Sequence, residues 1–195
     1  TVDHLDVLLD VDGVLYPLPE LFTPYAAEQL GRELTLDTTN WEFYTEWGLG
    51  YDDFVNLLGQ GVRERQLWWT GAPYADVVDA VRRIRANEHS IHVVTARDVR
   101  GIEAEAFDAT EHWLARHGLL VDTINLPSVK GRIDHLDADA ANHRIFVAAL
   151  GDDTVQVVDT RDRAHGTVRG LAKPQGIAYL PQLNRLVVAN GNAGR

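Results

Sequence analysis

The chain has 195 residues, with 18 basic and 29 acidic side chains and a formal charge of −11. That balance disfavours a dedicated nucleic-acid binder, which needs a basic face to meet phosphates. Hydrophobic residues make up 45% and charged residues 24%, so the chain can build a core. Cysteine is absent, which removes disulfides, a thiol nucleophile and zinc held by thiolates. Apolar runs such as Val7-Leu8-Leu9 are too short for a membrane span, and no basic stretch followed by an apolar one opens the chain. A cytoplasmic protein without membrane contact is the expectation.

Leu5 to Leu9 is a short apolar run ending in Asp-Val-Asp-Gly, a buried strand running into a turn. Residues 17–72 form a helical, aromatic-rich insertion containing Trp41-Glu-Phe-Tyr-Thr-Glu-Trp47. Pro73 to Asn87 carries Val77, Val81 and Ile84 on one helical face, with arginines near its end that suit the helix dipole. Ile91 to Val94 predicts a second buried strand ending at Thr95. Gly101 to His117 predicts a helix with Ile102, Ala106, Ala109 and Trp113 on one side and Gly118 as its stop. Alternating strand and helix implies a parallel sheet with helices packed on it.

The composition then changes. Residues 1–122 hold 22 acids, 9 bases and all five tryptophans, whereas residues 123–195 hold 7 acids and 9 bases. A domain boundary near residue 122 is the expectation. The later part has short apolar runs, Arg144 to Leu150 and Thr154 to Asp159, broken by turn residues. His143 to Ala148 matches Asn184 to Ala189 at an offset of 41, and Leu136 matches Ile177 at the same offset. A period near 40 with several strands per unit is the size of a propeller blade.

The strongest chemical signal is Asp10-Val11-Asp12-Gly13-Val14-Leu15 at a strand's end. Two acids one residue apart there can face the crevice above a parallel sheet, where a hard cation such as Mg²⁺ would neutralise them and let one attack phosphorus. Strand-end acids are also common as plain turn residues.

This hexapeptide resembles the first motif of the haloacid dehalogenase-like hydrolase superfamily, and Val94-Thr95-Ala96-Arg97 resembles its second. The insertion between them looks like the helical cap of the 5′(3′)-deoxyribonucleotidase-like members. The resemblance covers about residues 1–122, with the cap at about 17–72. It implies a Rossmann-like parallel-sheet core and Mg²⁺-dependent phosphomonoester hydrolysis on a small phosphorylated substrate, a nucleotide being one candidate. Asp10 would be the nucleophile that forms an aspartyl-phosphate, and Asp12 the acid–base. Thr95 would hydrogen-bond the phosphoryl group. Asp10 and Asp12, the latter through its backbone carbonyl, would hold Mg²⁺. Lys130 is the candidate for the charge-offsetting lysine, and Asp152 and Asp153 are candidates for the last metal-binding acids. Gly151-Asp152-Asp153 recurs as Gly191-Asn192 in the repeat, which also reads it as a hairpin turn. Arg97 could hold a substrate phosphate, though a solvated surface arginine is the plainer expectation.

From Ile124 onward the chain resembles the YVTN/YncE-like β-propellers, relatives of NHL repeats. Leu126 to His135 resembles the segment that opens such a propeller. Arg144 to Leu150, Val155 to Asp159, Pro174 to Ala178 and Leu186 to Asn190 resemble its blade strands. Residues 123–195 amount to one and a half antiparallel blades, whose unpaired edges predict association. The expected fold class is therefore α/β, a hydrolase core followed by propeller-like blades. The alternative function is a non-catalytic binding or scaffold fragment, or a composite chain without activity.

Overall fold

A computed structural model describes residues 5–95, 97, 99, 101–119, 124, 126, 129–130 and 132–191. The boundary expected at residues 122 and 123, and part of the segment from Leu126 to His135, lie outside the described residues. The fold is mixed α/β. Strands β1 (Asp6–Leu9) and β2 (Ser90–Val93) pair in a small parallel sheet. Between them lie helices α1 (Leu18–Leu30), α2 (Tyr51–Arg65) and α3 (Val77–Ala86), and α4 (Glu103–Arg116) follows. Strands β3 (Leu136–Asp139), β4 (Arg144–Ala149), β5 (Thr154–Asp159) and β6 (His165–Val168) form an antiparallel four-stranded sheet in that order. Strands β7 (Pro174–Leu180) and β8 (Arg185–Asn190) form an antiparallel pair. No helix among the described residues is long and apolar enough to cross a membrane.

The chain divides into two compact units that interleave in sequence. One comprises residues 1–8, 84–96 and 124–195, and the other residues 9–83 and 97–123. In the second, helical unit, the aromatic residues of the insertion make its core. Phe22, Phe43, Tyr44, Trp47 and Phe54 are buried and meet ring to ring, with Tyr44 stacked on Phe54 at 4.4 Å. Trp41 and Tyr51 are instead exposed, at 58% and 54%. Helix α4 buries Ala106, Ala109 and Trp113, the face its period predicts.

The first unit is β-rich. Ile145, Val147 and Val158 form its core, and Leu8 of β1 and Val94 just past β2 pack against them. The 41-residue repeat is structural as well as sequential. Leu136 stands opposite Val147 in β3–β4, and Ile177 stands opposite Val188 in β7–β8. Each pair is joined by a 3₁₀ turn, Ala140–Asn142 or Pro181–Leu183. Each turn ends on one left-handed residue, His143 (φ 54°) or Asn184 (φ 47°).

A polar staple links the two repeats. Asp139, 4% exposed, accepts from both Nε and Nη2 of Arg144 and from Asn142. Arg144 also donates to the Tyr179 hydroxyl at 3.1 Å and to Asn184 at 2.9 Å, and lies over the Phe146 and Tyr179 rings. Burial alone would raise the Asp139 pKa, but the donors from Arg144, Asn142 and Tyr179 outweigh it and hold the carboxyl below its usual 3.8. Its contribution to stability is thus present above pH 3.8 and lost as the pH falls through the lower folded value. Asp139→Ala is expected to destabilise this unit by about 3 kcal/mol at neutral pH, because it strands a half-buried guanidinium. Urea unfolding followed by far-UV circular dichroism checks this. The penalty should shrink as the pH drops below 3.8.

Candidate functional site

Strand β1 hands the chain to Asp10 through a tightly closed loop. Val11 is completely buried, and its carbonyl accepts the backbone N–H of Leu15 at 2.9 Å and of Tyr16 at 2.7 Å. Gly13 sits at φ +77°, where an L side chain is strained, and a Cβ there would meet the Trp41 ring at 3.2 Å. Glycine is therefore required twice over, by backbone conformation and by close approach. The Asp10 carboxylate accepts the Val11 N–H at 2.6 Å.

Asp12 is not a solvated turn acid. Both of its oxygens accept from one guanidinium, Arg97 Nε at 3.0 Å and Arg97 Nη2 at 2.7 Å. The Arg97 side chain is only 3% exposed, against 20% for Asp12. Its third nitrogen, Nη1, donates to Thr110 Oγ1 at 3.1 Å, and that hydroxyl donates in turn to the Ala106 carbonyl. The guanidinium carbon lies 4.9 Å from the centroids of both the Tyr16 and Trp68 rings. The expectation of a solvated surface arginine is overturned. The flat, weakly hydrated guanidinium suits an aromatic cage with one carboxylate at its mouth.

The cage is braced on all sides. The Trp68 backbone N–H donates to the Tyr16 hydroxyl at 3.0 Å, and Trp68 holds φ 75°, an uncommon conformation for a bulky residue. Tyr16 meets Trp113 edge-on at 5.2 Å, and Trp113 Nε1 donates to the Gly71 carbonyl at 3.0 Å. Burial raises the Tyr16 pKa, and the Asp12 charge adds to it. Both outweigh the Trp68 hydrogen bond and Arg97, so the phenol stays neutral. Burial, then Arg116, pushes the His117 pKa down. Two buried nitrogens, Trp68 Nε1 and His117 Nε2, have no hydrogen-bond partner among the described residues. Trp68 and Thr110 carried no signal in the sequence, because only the fold brings them to Arg97.

The remaining predicted residues belong to the β-rich unit. Thr95 is half-buried just beyond β2, and Lys130 is exposed. Asp152 and Asp153 lie in the turn joining antiparallel β4 and β5. There Asp152 accepts from Thr154 at 3.4 Å, and Asp153, at φ 53°, accepts the Lys173 N–H at 2.7 Å. Among the described residues no three His, Asp or Glu side chains converge as a metal-holding group. The Asp10 carboxylate and the Asp12 main-chain oxygen are nonetheless hard donors of the kind Mg²⁺ accepts, since it binds through one or two carboxylates and keeps several waters.

Set against known proteins, the chain matches no family model, no curated protein and no solved structure.

Proposed function

We propose that residues 1–122 form a haloacid dehalogenase-type core with a helical cap. In this reading it is a Mg²⁺-dependent phosphatase acting on small phosphomonoesters, nucleotides among them. The single observation that carries this reading is the pairing of Asp12 with the caged Arg97. The pair holds the Asp12 carboxylate in one position just past β1, as an acid–base group requires. Desolvating a guanidinium costs several kcal/mol and is tolerated where the carboxylate it holds must keep one position.

The chemistry follows from the residue types. An Asp10 oxygen attacks phosphorus, the bond from phosphorus to the leaving oxygen breaks, and that oxygen takes a proton from the Asp12 carboxyl. Water then attacks the aspartyl-phosphate and gives a proton back to Asp12, which frees phosphate and restores the Asp10 carboxylate. Both Asp12 oxygens accept from Arg97, and a proton on Asp12 turns two charge-assisted hydrogen bonds into weaker ones. Asp10 and the Asp12 carbonyl would hold Mg²⁺. Bound there, the cation would reduce the repulsion between carboxylate and phosphate.

A second reading is favoured by a different observation, the matching register of β3–β4 and β7–β8. It treats residues 123–195 as one and a half propeller-like blades with a binding or scaffold role and no catalysis. The two are separated by phosphate release from p-nitrophenyl phosphate and a panel of nucleoside monophosphates, with Mg²⁺ and with a chelator. Turnover that disappears on chelation and returns with added Mg²⁺ is the expected result. Folded protein that releases no phosphate in either condition leaves the binding reading.

A further inference from the structure

We infer that the cavity between α2 and the loop after Arg97 binds a carboxylate at the far end of the substrate. The inference deepens the phosphatase reading and rests on it. Asn56, Gln60 and Arg63 follow one another on α2 at spacings of four and three, so they form one polar stripe. With Gly59, Val99 and Ile102 they line a cavity of about 290 Å³. All six residues belong to the helical unit. Gly59 lets helix and loop close in, because a Cβ there would meet Val99 Cγ1 at 2.9 Å. Val99 and Ile102 are buried and give the cavity an apolar floor.

Charge decides what fits there. The helical unit carries 19 acids and 8 bases. Arginines in it find carboxylates: Arg65 meets Glu28 at 2.6 Å, Arg82 meets Asp79 at 3.1 Å, and Arg97 meets Asp12 at 2.7 Å. Arg63 pairs with no carboxylate among the described residues. Its Nη2 donates to the Gly101 carbonyl at 2.7 Å, which holds the guanidinium against the loop and leaves Nε and Nη1 for another acceptor. The Asn56 and Gln60 side chains make no hydrogen bond among the described residues, so their N–H groups are open too. No acid and no aromatic ring lines the cavity. A nucleobase would find no ring there to stack on. One guanidinium flanked by two amides matches the single charge and two oxygens of a carboxylate, whereas a phosphate dianion calls for a second cation. Val99 follows Arg97, whose fork holds Asp12, by two residues or at most about 7 Å of chain. A substrate with a few carbons between phosphate and carboxylate covers a span of that order.

Steady-state phosphate release tests this with propyl phosphate and with its analogue that carries a carboxylate in place of the terminal methyl. The ratio of their kcat/KM values is read within each protein, so a general loss of activity cancels. The full chain is expected to favour the carboxylate about tenfold, and Arg63→Gln to bring the ratio near one. Gln60→Ala leaves the Arg63 bond to Gly101 in place and should lower the ratio about threefold. Arg82→Gln removes a positive charge elsewhere in the same unit and should leave the ratio unmoved. p-Nitrophenyl phosphate reports the chemistry by itself. A full chain that releases no nitrophenolate from it sinks the phosphatase reading, and the substrate assignment falls with it. Nitrophenolate release without a carboxylate preference overturns the inference alone. So does a preference that Arg63→Gln leaves intact, or one that Arg82→Gln weakens equally. Unchanged tryptophan fluorescence and circular dichroism in the variants keep misfolding apart from loss of the subsite.

Discussion

Replacing Arg97 by methionine lowers the stability of the helical unit by about 3 kcal/mol, because it leaves the Asp12 carboxylate in a mostly buried setting without its donors. The cost stays near the lower end of such effects, since Asp12 keeps 20% of its side chain in water. Asp12→Asn alone is also unfavourable, for it strands the guanidinium beneath Tyr16 and Trp68. The double variant Asp12→Asn, Arg97→Met recovers about 2 kcal/mol of the summed loss, because neither buried charge remains. Arg97→Lys is no substitute. An ammonium cannot span both Asp12 oxygens and Thr110, and it stacks poorly between two rings. Urea unfolding read by tryptophan fluorescence isolates the effect, since all five tryptophans lie within the helical unit. Additive single losses would mean that the pair is a contact without coupling, and would remove the support it lends to a positioned Asp12.

The sequence made the local elements legible where periodicity and turn chemistry agree. The buried face of α4 follows from Ala106, Ala109 and Trp113, and the end of β1 from the Asp-Val-Asp-Gly turn that Gly13 closes. The repeat was legible too, because strand pairs of one length with one turn type recur at a fixed offset. Long-range assembly was not. Composition divides the chain once, near residue 122, while the compact units interleave. The reason is apolar burial between distant segments, with Leu8 and Val94 packing on Ile145, Val147 and Val158. No property that runs along the chain reports such contacts. Arg97 shows the same limit at the site. Beside Thr95 it reads as an ordinary polar loop residue, and what makes it buried is Asp12, 85 positions away, together with Tyr16 and Trp68.

Asp10→Asn and Asp12→Asn should fail in different ways, and the difference identifies the two roles. Asparagine at position 10 can still accept the Val11 N–H through its amide oxygen, so the loop keeps its shape. It has lost the anionic nucleophile, however, and turnover should fall by at least about 10³-fold on every substrate. Asp12→Asn weakens the hold on Arg97 but leaves Asp10 able to attack, and it removes the proton transfers, each worth about 10²–10⁴-fold. p-Nitrophenolate leaves without needing a proton, so phosphorylation of Asp10 survives in Asp12→Asn with p-nitrophenyl phosphate and hydrolysis of the aspartyl-phosphate stalls. A single burst of nitrophenolate, one per chain, and a stable phosphorylated species by intact mass are the expected signs. With a nucleoside monophosphate the leaving alkoxide does need its proton, so the burst should be absent. Turnover that persists in Asp10→Asn would move the nucleophile elsewhere. An Asp12→Asn loss equal on both substrates, without a burst, would make Asp12 a structural partner of Arg97 and nothing more.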